Sequence, residues 1–149
     1  MINQHDLKEL FESARLEAQK SPDSQTKVGC LLVYIEDGKC VTLSKGHNRF
    51  HRNAPKNLPT VRPEKHLYIF HAEQVSILEA AKKGVDISKC VAIVTLSPCI
   101  TCCRFLYEMG ISTIYFEDEY HSFQHQLSTK DINFKLTKIG KYTKIELKI

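Results

Sequence analysis

Apolar residues recur along this chain in two rhythms, one helical and one extended. Leu7, Leu10, Phe11, Ala14, Leu16 and Ala18 sit among charged neighbours at close to a helical period, which predicts a helix over residues 6–20. Ser21-Pro22-Asp23-Ser24 ends it with turn chemistry. Residues 28–35 form an unbroken apolar run, as in a strand buried on both faces. Glu36-Asp37-Gly38-Lys39 reads as a hairpin turn, and residues 40–44 pair back. A second helix is predicted over residues 71–83, with Ala72, Val75, Ile77, Leu78, Ala80 and Ala81 as its apolar face and Gly84 as its stop. Residues 91–96 read as another buried strand. Ser97-Pro98 then opens a helix that runs to about Met109, and Gly110 ends it. A fourth strand follows at 113–116. Strands alternating with helices predict parallel pairings through right-handed crossovers. Residues 117–129 are polar, with room for a short helix. Ile132, Phe134 and Leu136 alternate as a half-exposed strand does, and Tyr142, Ile145, Leu147 and Ile149 partly do so.

The segment 46–68 breaks both rhythms. It holds Pro55, Pro59 and Pro63, and from 45 to 65 its cations are Lys45, Arg49, Arg52, Lys56, Arg62 and Lys65 against the single acid Glu64. A loop this long in a compact domain is functional or disordered. It reads either as a solvated basic surface or as a lid presenting cations to a phosphate. In the tail, Lys130, Lys135, Lys138, Lys141, Lys144 and Lys148 are read as guards of an edge strand, with polyanion binding the lesser reading.

Composition bounds the rest. The 149 residues suit one domain, residues 1–149, and 42% hydrophobic with 26% charged content is ordinary for a globular chain. A net charge of +4 is compatible with an anionic small molecule or a nucleic acid. No apolar run reaches the roughly 20 residues of a membrane span, and residues 1–10 lack the pattern of a secretory signal, so the expected location is cytoplasmic, with no membrane partner. In that compartment six cysteines point to metal ligands or buried thiols rather than a disulfide framework. Cys30, Cys40 and Cys90, in or beside predicted strands, are read as small buried hydrophobes.

The remaining cysteines carry chemistry. Cys99 and Cys102, three apart at the start of a predicted helix, turn both sulfurs to one side, where a helix N-terminus favours thiolate. His71, at the start of the other helix, can add a nitrogen. Three protein ligands leave a fourth tetrahedral position open, the arrangement of a catalytic zinc. Glu73, two residues from His71, is placed to move protons rather than bind metal. Taken alone, Cys-x-x-Cys could be a redox pair, and Cys103 could replace Cys102 as ligand. His-x-Glu followed by a strand and Pro-Cys-x-x-Cys is far more specific than its parts, and it is the signature of the zinc-dependent nucleobase deaminases.

The chain thus resembles the cytidine deaminase superfamily, and within it the deoxycytidylate (dCMP) deaminase branch. The resemblance runs from about Lys8 to Tyr120. It rests on His71-Ala72-Glu73 and Ser97-Pro98-Cys99-Ile100-Thr101-Cys102. Supporting marks are Lys20-Ser21, Asp23-Ser24, Val28-Gly29-Cys30, Gly46-His47-Asn48, Arg62-Pro63-Glu64-Lys65, Gly110-Ile111 and Ile114-Tyr115. It implies a three-layer α/β/α sandwich around a mixed five-stranded sheet. The implied reaction is hydrolytic deamination of a cytosine nucleotide, dCMP to dUMP plus ammonia. Zn2+, held by His71, Cys99 and Cys102, would activate water, and Glu73 would carry the protons. By family position Asn48 would contact the sugar, the backbone near Ala72 and Ser97 the base edge, and Tyr120 would wall the pocket. Lys20, Arg49 and other loop cations are the candidates for the 5′-phosphate. A homo-oligomer and a nucleoside triphosphate regulator are expected on the same ground.

Alternatives are a deaminase of cytidine, of guanine or of a base in RNA or DNA. The basic residues lack the aromatic interleaving a polynucleotide strand would use. A zinc-stabilised binding module without turnover is another, closed by His66, Cys103 or His121 as fourth ligand. Gln74-Val75-Ser76 departs from the branch's usual polar pattern, and Arg49-Phe50-His51-Arg52 replaces its glycine-rich text after Asn48. Both departures bear on substrate identity. His47, His51, His66 and Cys30 form no recognisable pattern for a second zinc, and hydrogen-bonded histidines are the preferred reading.

Overall fold

The computed structural model describes residues 2–120, 123 and 129–148. Six strands form one sheet: β1 (Gly29–Glu36), β2 (Lys39–His47), β3 (Val91–Leu96), β4 (Thr113–Asp118), β5 (Asn133–Ile139) and β6 (Tyr142–Lys148). Their order is β2-β1-β3-β4-β6-β5. Helix α1 (Gln4–Ala18) covers one face, and α2 (Ala72–Lys83) with α3 (Ile100–Glu108) covers the other. The three-layer α/β/α class is as expected, with six strands in place of five. Both apolar stretches of the tail join the sheet, turning through Gly140 at φ 61°, so β6 pairs with β4 and β5 becomes an edge. Lys135 and Lys138 are exposed on that edge, as guards should be.

Pairing corrects a second expectation. Only β3 and β4 run parallel; the other neighbours are antiparallel. The cause is the hairpin at Asp37 (φ 51°) and Gly38 (φ 76°), both in the left-handed region that a tight Asp-Gly turn needs. It returns the chain to the end where β1 began. Crossing over through α2 then brings β3 in against β1, and a further crossover through α3 makes β4 parallel to β3. The same path sets the N-termini of α2 and α3 at one end of the sheet, where the cleft described below opens.

The core is divided by strand alternation. Leu31 and Val33 of β1 meet α1 with Phe11, Ile93, Tyr115 and Tyr142; Cys30 and Leu32 point the other way, to Ala72, Val94, Cys103 and Leu106. All four β1 side chains are fully buried, as the unbroken apolar run implies. Helix faces were harder to read. Leu16 is 73% exposed and Glu17 is buried in its place, because Glu17 binds His47 Nδ1 at 2.7 Å and Lys20 at 3.0 Å. On α2, Leu78 is exposed while Glu73 and Ser76 are buried. Among the described residues no helix is long and apolar enough to cross a membrane.

Candidate active site and metal centre

Two helix N-termini build the centre. His71 is the N-cap residue of α2, with extended backbone, and its N–H donates to the Gln74 side chain at 2.9 Å. Cys99 is the N-cap of α3; its sulfur accepts from the Cys102 N–H at 3.4 Å. The helix therefore begins one residue after Cys99, and Pro98 lies ahead of the cap rather than in the first turn. His71 Nδ1 is 3.5 Å from Cys99 Sγ and 3.3 Å from Cys102 Sγ. With Zn–S of about 2.3 Å and Zn–N of about 2.0 Å, the N···S edge of a tetrahedron is about 3.6 Å. The three donor atoms thus already stand at zinc-binding spacing, and all lie within 4.8 Å of one another.

Electrostatics agree with that reading. Cys99 is pulled down to about 4, first because the Cys102 thiol hydrogen-bonds to it and then through His71, against the opposing effect of burial. Cys102 is pushed up as the donor of that bond and by burial. A helix N-terminus favours the Cys99 thiolate, and a bound dication would favour both thiolates. Glu73, only 4% exposed, has its carboxyl raised to about 7, mainly by burial and next by the Cys99 thiolate. Cys103 is fully buried in the core beside Leu106 and stands outside the donor cluster.

A cleft of about 520 Å³ opens over this centre. Asn48, Ala72, Glu73, Ser97, Cys99 and Tyr120 line it with His71, so most of the expected site residues are brought together. Ser97 Oγ accepts from the Tyr120 N–H at 3.1 Å, and the Ser97 N–H donates to the Asp118 carbonyl at 2.7 Å. Asn48 is largely committed within the protein. Its Nδ2 donates to the Thr26 carbonyl at 2.8 Å and to Asp23 Oδ2 at 3.3 Å, and its Oδ1 accepts from the Val28 N–H at 2.8 Å. One lone pair of Oδ1 is left for a ligand.

Lys20 and Arg49 are not in this cleft. They line a second cavity of about 350 Å³, where Lys20 binds Glu17 and Arg49 reaches Glu79 at 3.4 Å. Alternation explains the split: His47 and Arg49 face one side of the extended chain and Asn48 the other. Val75 also lines the second cavity, because two residues along a helix turn it about 200° from Glu73. The departure at Val75 is therefore no change of the cleft. The cleft's cations are instead Arg62 and Lys65, with His66 beside them and Asp23 accompanying. In the sequence Asp23 reads as a turn residue and Lys65 as one of several loop cations. The signal available was the short Asp23-to-Thr26 turn, whose amides the carboxylate caps at 2.8 and 2.9 Å.

Of the other histidines, His47 pairs with Glu17, and His51 Nδ1 lies 2.7 Å from the Arg52 carbonyl. Neither joins a donor cluster among the described residues, nor do His66 and Cys30. His121 lies outside the described residues.

Residues 4–118 match the family model described as the cytidine and deoxycytidylate deaminase zinc-binding region. The chain belongs to this family. Zinc is the metal of the matched region, and the donor set here fits it. A deoxycytidylate deaminase of Mus musculus is 30% identical over 150 residues, covering 89% of this chain and 79% of that one. A probable deoxycytidylate deaminase of Caenorhabditis elegans is 32% identical over 108 residues, covering 69% of this chain. The match spans about half, 52%, of that relative's length. Among solved structures, the dCMP deaminase of cyanophage S-TIM5, determined with dCMP and dUMP, superposes with a TM-score of 0.68. It is 22% identical and the match covers 85% of this chain and 93% of that one, a likeness of fold.

Proposed function

We propose that this protein is a zinc-dependent deaminase that converts dCMP and water to dUMP and ammonia. The observation that carries the reading is the floor of the cleft. Three soft donors stand at tetrahedral spacing there, and the buried carboxyl of Glu73 sits beside them with its proton affinity raised toward neutrality. His71, Cys99 and Cys102 would hold the zinc, which when bound makes a nucleophile of water at neutral pH. Glu73 takes the proton that water gives up, delivers it to N3 of the base as C4 is attacked, and then takes the remaining proton of the new C4 hydroxyl and passes it to the departing ammonia. Ala72, in the first turn of α2, and Ser97 offer the base edge their backbone, Asn48 offers the sugar its free lone pair, and Tyr120 closes one wall.

A nucleotide is favoured over a nucleoside by Arg62 and His66. Arg62 is exposed at the cleft and, among the described residues, bonds through Nη2 to the neutral Thr26 hydroxyl at 2.9 Å, so its charge is available to a phosphate. Lys20 and Arg49 drop out of that role by their position. The named activities of the deoxycytidylate deaminase relatives support the same substrate. We place the enzyme in a reducing, cytoplasmic compartment, where Cys99 and Cys102 stay available as thiolates. Homo-oligomer formation and regulation by a nucleoside triphosphate belong to the same reading; light scattering and rates with added triphosphates test them.

Ammonia release from dCMP, deoxycytidine, cytidine, guanine and an oligonucleotide tests the substrate. The expected order puts dCMP first, and Arg62→Gln lowers its advantage over deoxycytidine about tenfold. Faster turnover of deoxycytidine, guanine or the oligonucleotide would reject the assignment.

A further inference from the structure

The segment from 50 to 69 is closed at its neck by one antiparallel bridge. The Arg49 and Phe70 amides each donate to the other's carbonyl, at 3.1 and 2.7 Å. Just outside that neck stand Asn48, on the cleft wall, and His71, in the donor cluster. Whatever holds the segment down therefore steadies Asn48, whereas His71 is also held by its own cap bond to Gln74 at the start of α2. Several of its ties are exposed: Ser24 Oγ to Thr60 at 3.0 Å, and Arg62 to Gln25 and Thr26 at 2.9 Å. Another is buried. Lys65 Nζ donates to Asp23 Oδ2 at 2.7 Å, and both side chains are 3% exposed. Asp23 is saturated by this contact, since its Oδ1 takes two backbone amides and its Oδ2 also takes Asn48.

We propose that Lys65 is a positioning residue for substrate binding: from the lid segment it anchors Asp23, and through Asp23 it holds Asn48 and the cleft wall in their binding geometry. This rests on the deaminase reading above. A buried carboxylate that loses its cation must find water or take up a proton. Without Lys65 the segment lifts to admit that water, Asp23 shifts, and Asn48 loses its 3.3 Å contact with the carboxylate, which leaves the Thr26 carbonyl as the acceptor for its Nδ2. Glu73 lies on α2, and His71 and Cys99 are fixed as the N-caps of α2 and α3, by bonds outside this network, so turnover of bound substrate is spared.

The test compares zinc-loaded wild type, Lys65→Met and the double variant Asp23→Asn/Lys65→Met, at a temperature where all are folded. Lys65→Met is expected to keep one zinc and a kcat within about threefold, while KM for dCMP rises roughly tenfold or more. Its amides from 50 to 69 exchange faster with solvent. The double variant, which removes both charges, recovers most of the KM. A lowered melting temperature with unchanged KM overturns the proposal, as does loss of zinc together with kcat. Should Lys65→Met fail to accumulate, hydrogen exchange on the wild type decides. The Gln25 and Thr26 amides must open in one cooperative step with those of Lys65 and Phe70; independent opening overturns the latch. Absence of dCMP turnover in the wild type rejects the substrate reading alone, and the exchange data still judge the latch.

Discussion

Adding one methyl group at Gly46 should damage the active centre from the opposite side of the sheet–helix contact. A Cβ on Gly46 would stand 2.4 Å from the Ser76 nitrogen, 2.5 Å from the Ala72 carbonyl oxygen and 3.0 Å from the Ser76 Cα. All three atoms are α2 backbone, so no flexible side chain can give way. Restoring ordinary contact at about 3.4 Å requires the first turns of α2 to retreat by about 1 Å. Overpacking of this kind costs about 1–3 kcal/mol. The retreat also carries His71 and Glu73 away from Cys99 and Cys102 on α3, and a displacement of about 1 Å at a reacting centre costs about 100-fold in rate. Gly46→Ala is therefore expected to lose about 1–3 kcal/mol in urea unfolding and about 100-fold in kcat when zinc-loaded. Gly38→Ala is the control. Nothing lies within 4 Å of that Cβ, but φ is 76°, so it should cost about 1 kcal/mol of stability and leave kcat unchanged. A Gly46→Ala protein with wild-type stability and turnover would refute the account of how α2 is seated.

Other outcomes follow from the same geometry. Cys99→Ser should weaken zinc binding by more than about 100-fold in a chelator competition and lower the melting temperature of the zinc-loaded protein. Cys103→Ala should retain one zinc and cost about 1 kcal/mol, as loss of a small buried group does. The Asp23 carboxyl is raised by burial, but Lys65 and the Thr26 and Gln25 amides outweigh that and hold it below its ordinary 3.8; Glu17 is likewise held below 4.5 by His47 and Lys20. Folded-state affinities below the unfolded ones stabilise the protein fully above those ordinary values, and the contribution is lost as pH falls through the depressed ones. Urea midpoints should therefore drop steeply below about pH 4, and Asp23→Asn should flatten that limb.

How much of this was legible in the chain depends on whether a feature is local. The Asp37-Gly38 turn, the doubly buried β1, and the His71/Glu73 and Cys99/Cys102 pairs are short-range patterns, and each stands where its residues implied. The faces of α1 and α2 misled because two buried carboxylates, Glu17 and Glu73, occupy inward positions, while Leu16 and Leu78 point out. Their burial depends on partners far along the chain, His47 for one and the metal cluster for the other. Among the phosphate candidates, Lys20 and Arg49 fall outside the cleft, whereas the loop cations Arg62 and Lys65 line it. Charge is visible in sequence, but the side of an extended strand on which Arg49 falls depends on where β2 ends. Lys65 reads as one more loop cation until Asp23, 42 residues earlier, is seen to bury it. The count of five strands comes from the resemblance; the tail's own pattern offers both further stretches, the second alternating only partly because β6 is an inner strand buried on both faces.

Glu73→Gln tests the central claim most directly, since it keeps the size of the side chain and removes its capacity to carry a proton. Zinc content, dCMP binding and ammonia release should be measured on the same preparation. The account predicts one zinc per chain, dCMP affinity within about threefold of wild type and a kcat reduced about 100- to 10,000-fold. Turnover of dCMP at the wild-type rate, with zinc in place, would contradict the division between three side chains that hold the metal and one carboxyl that moves the protons.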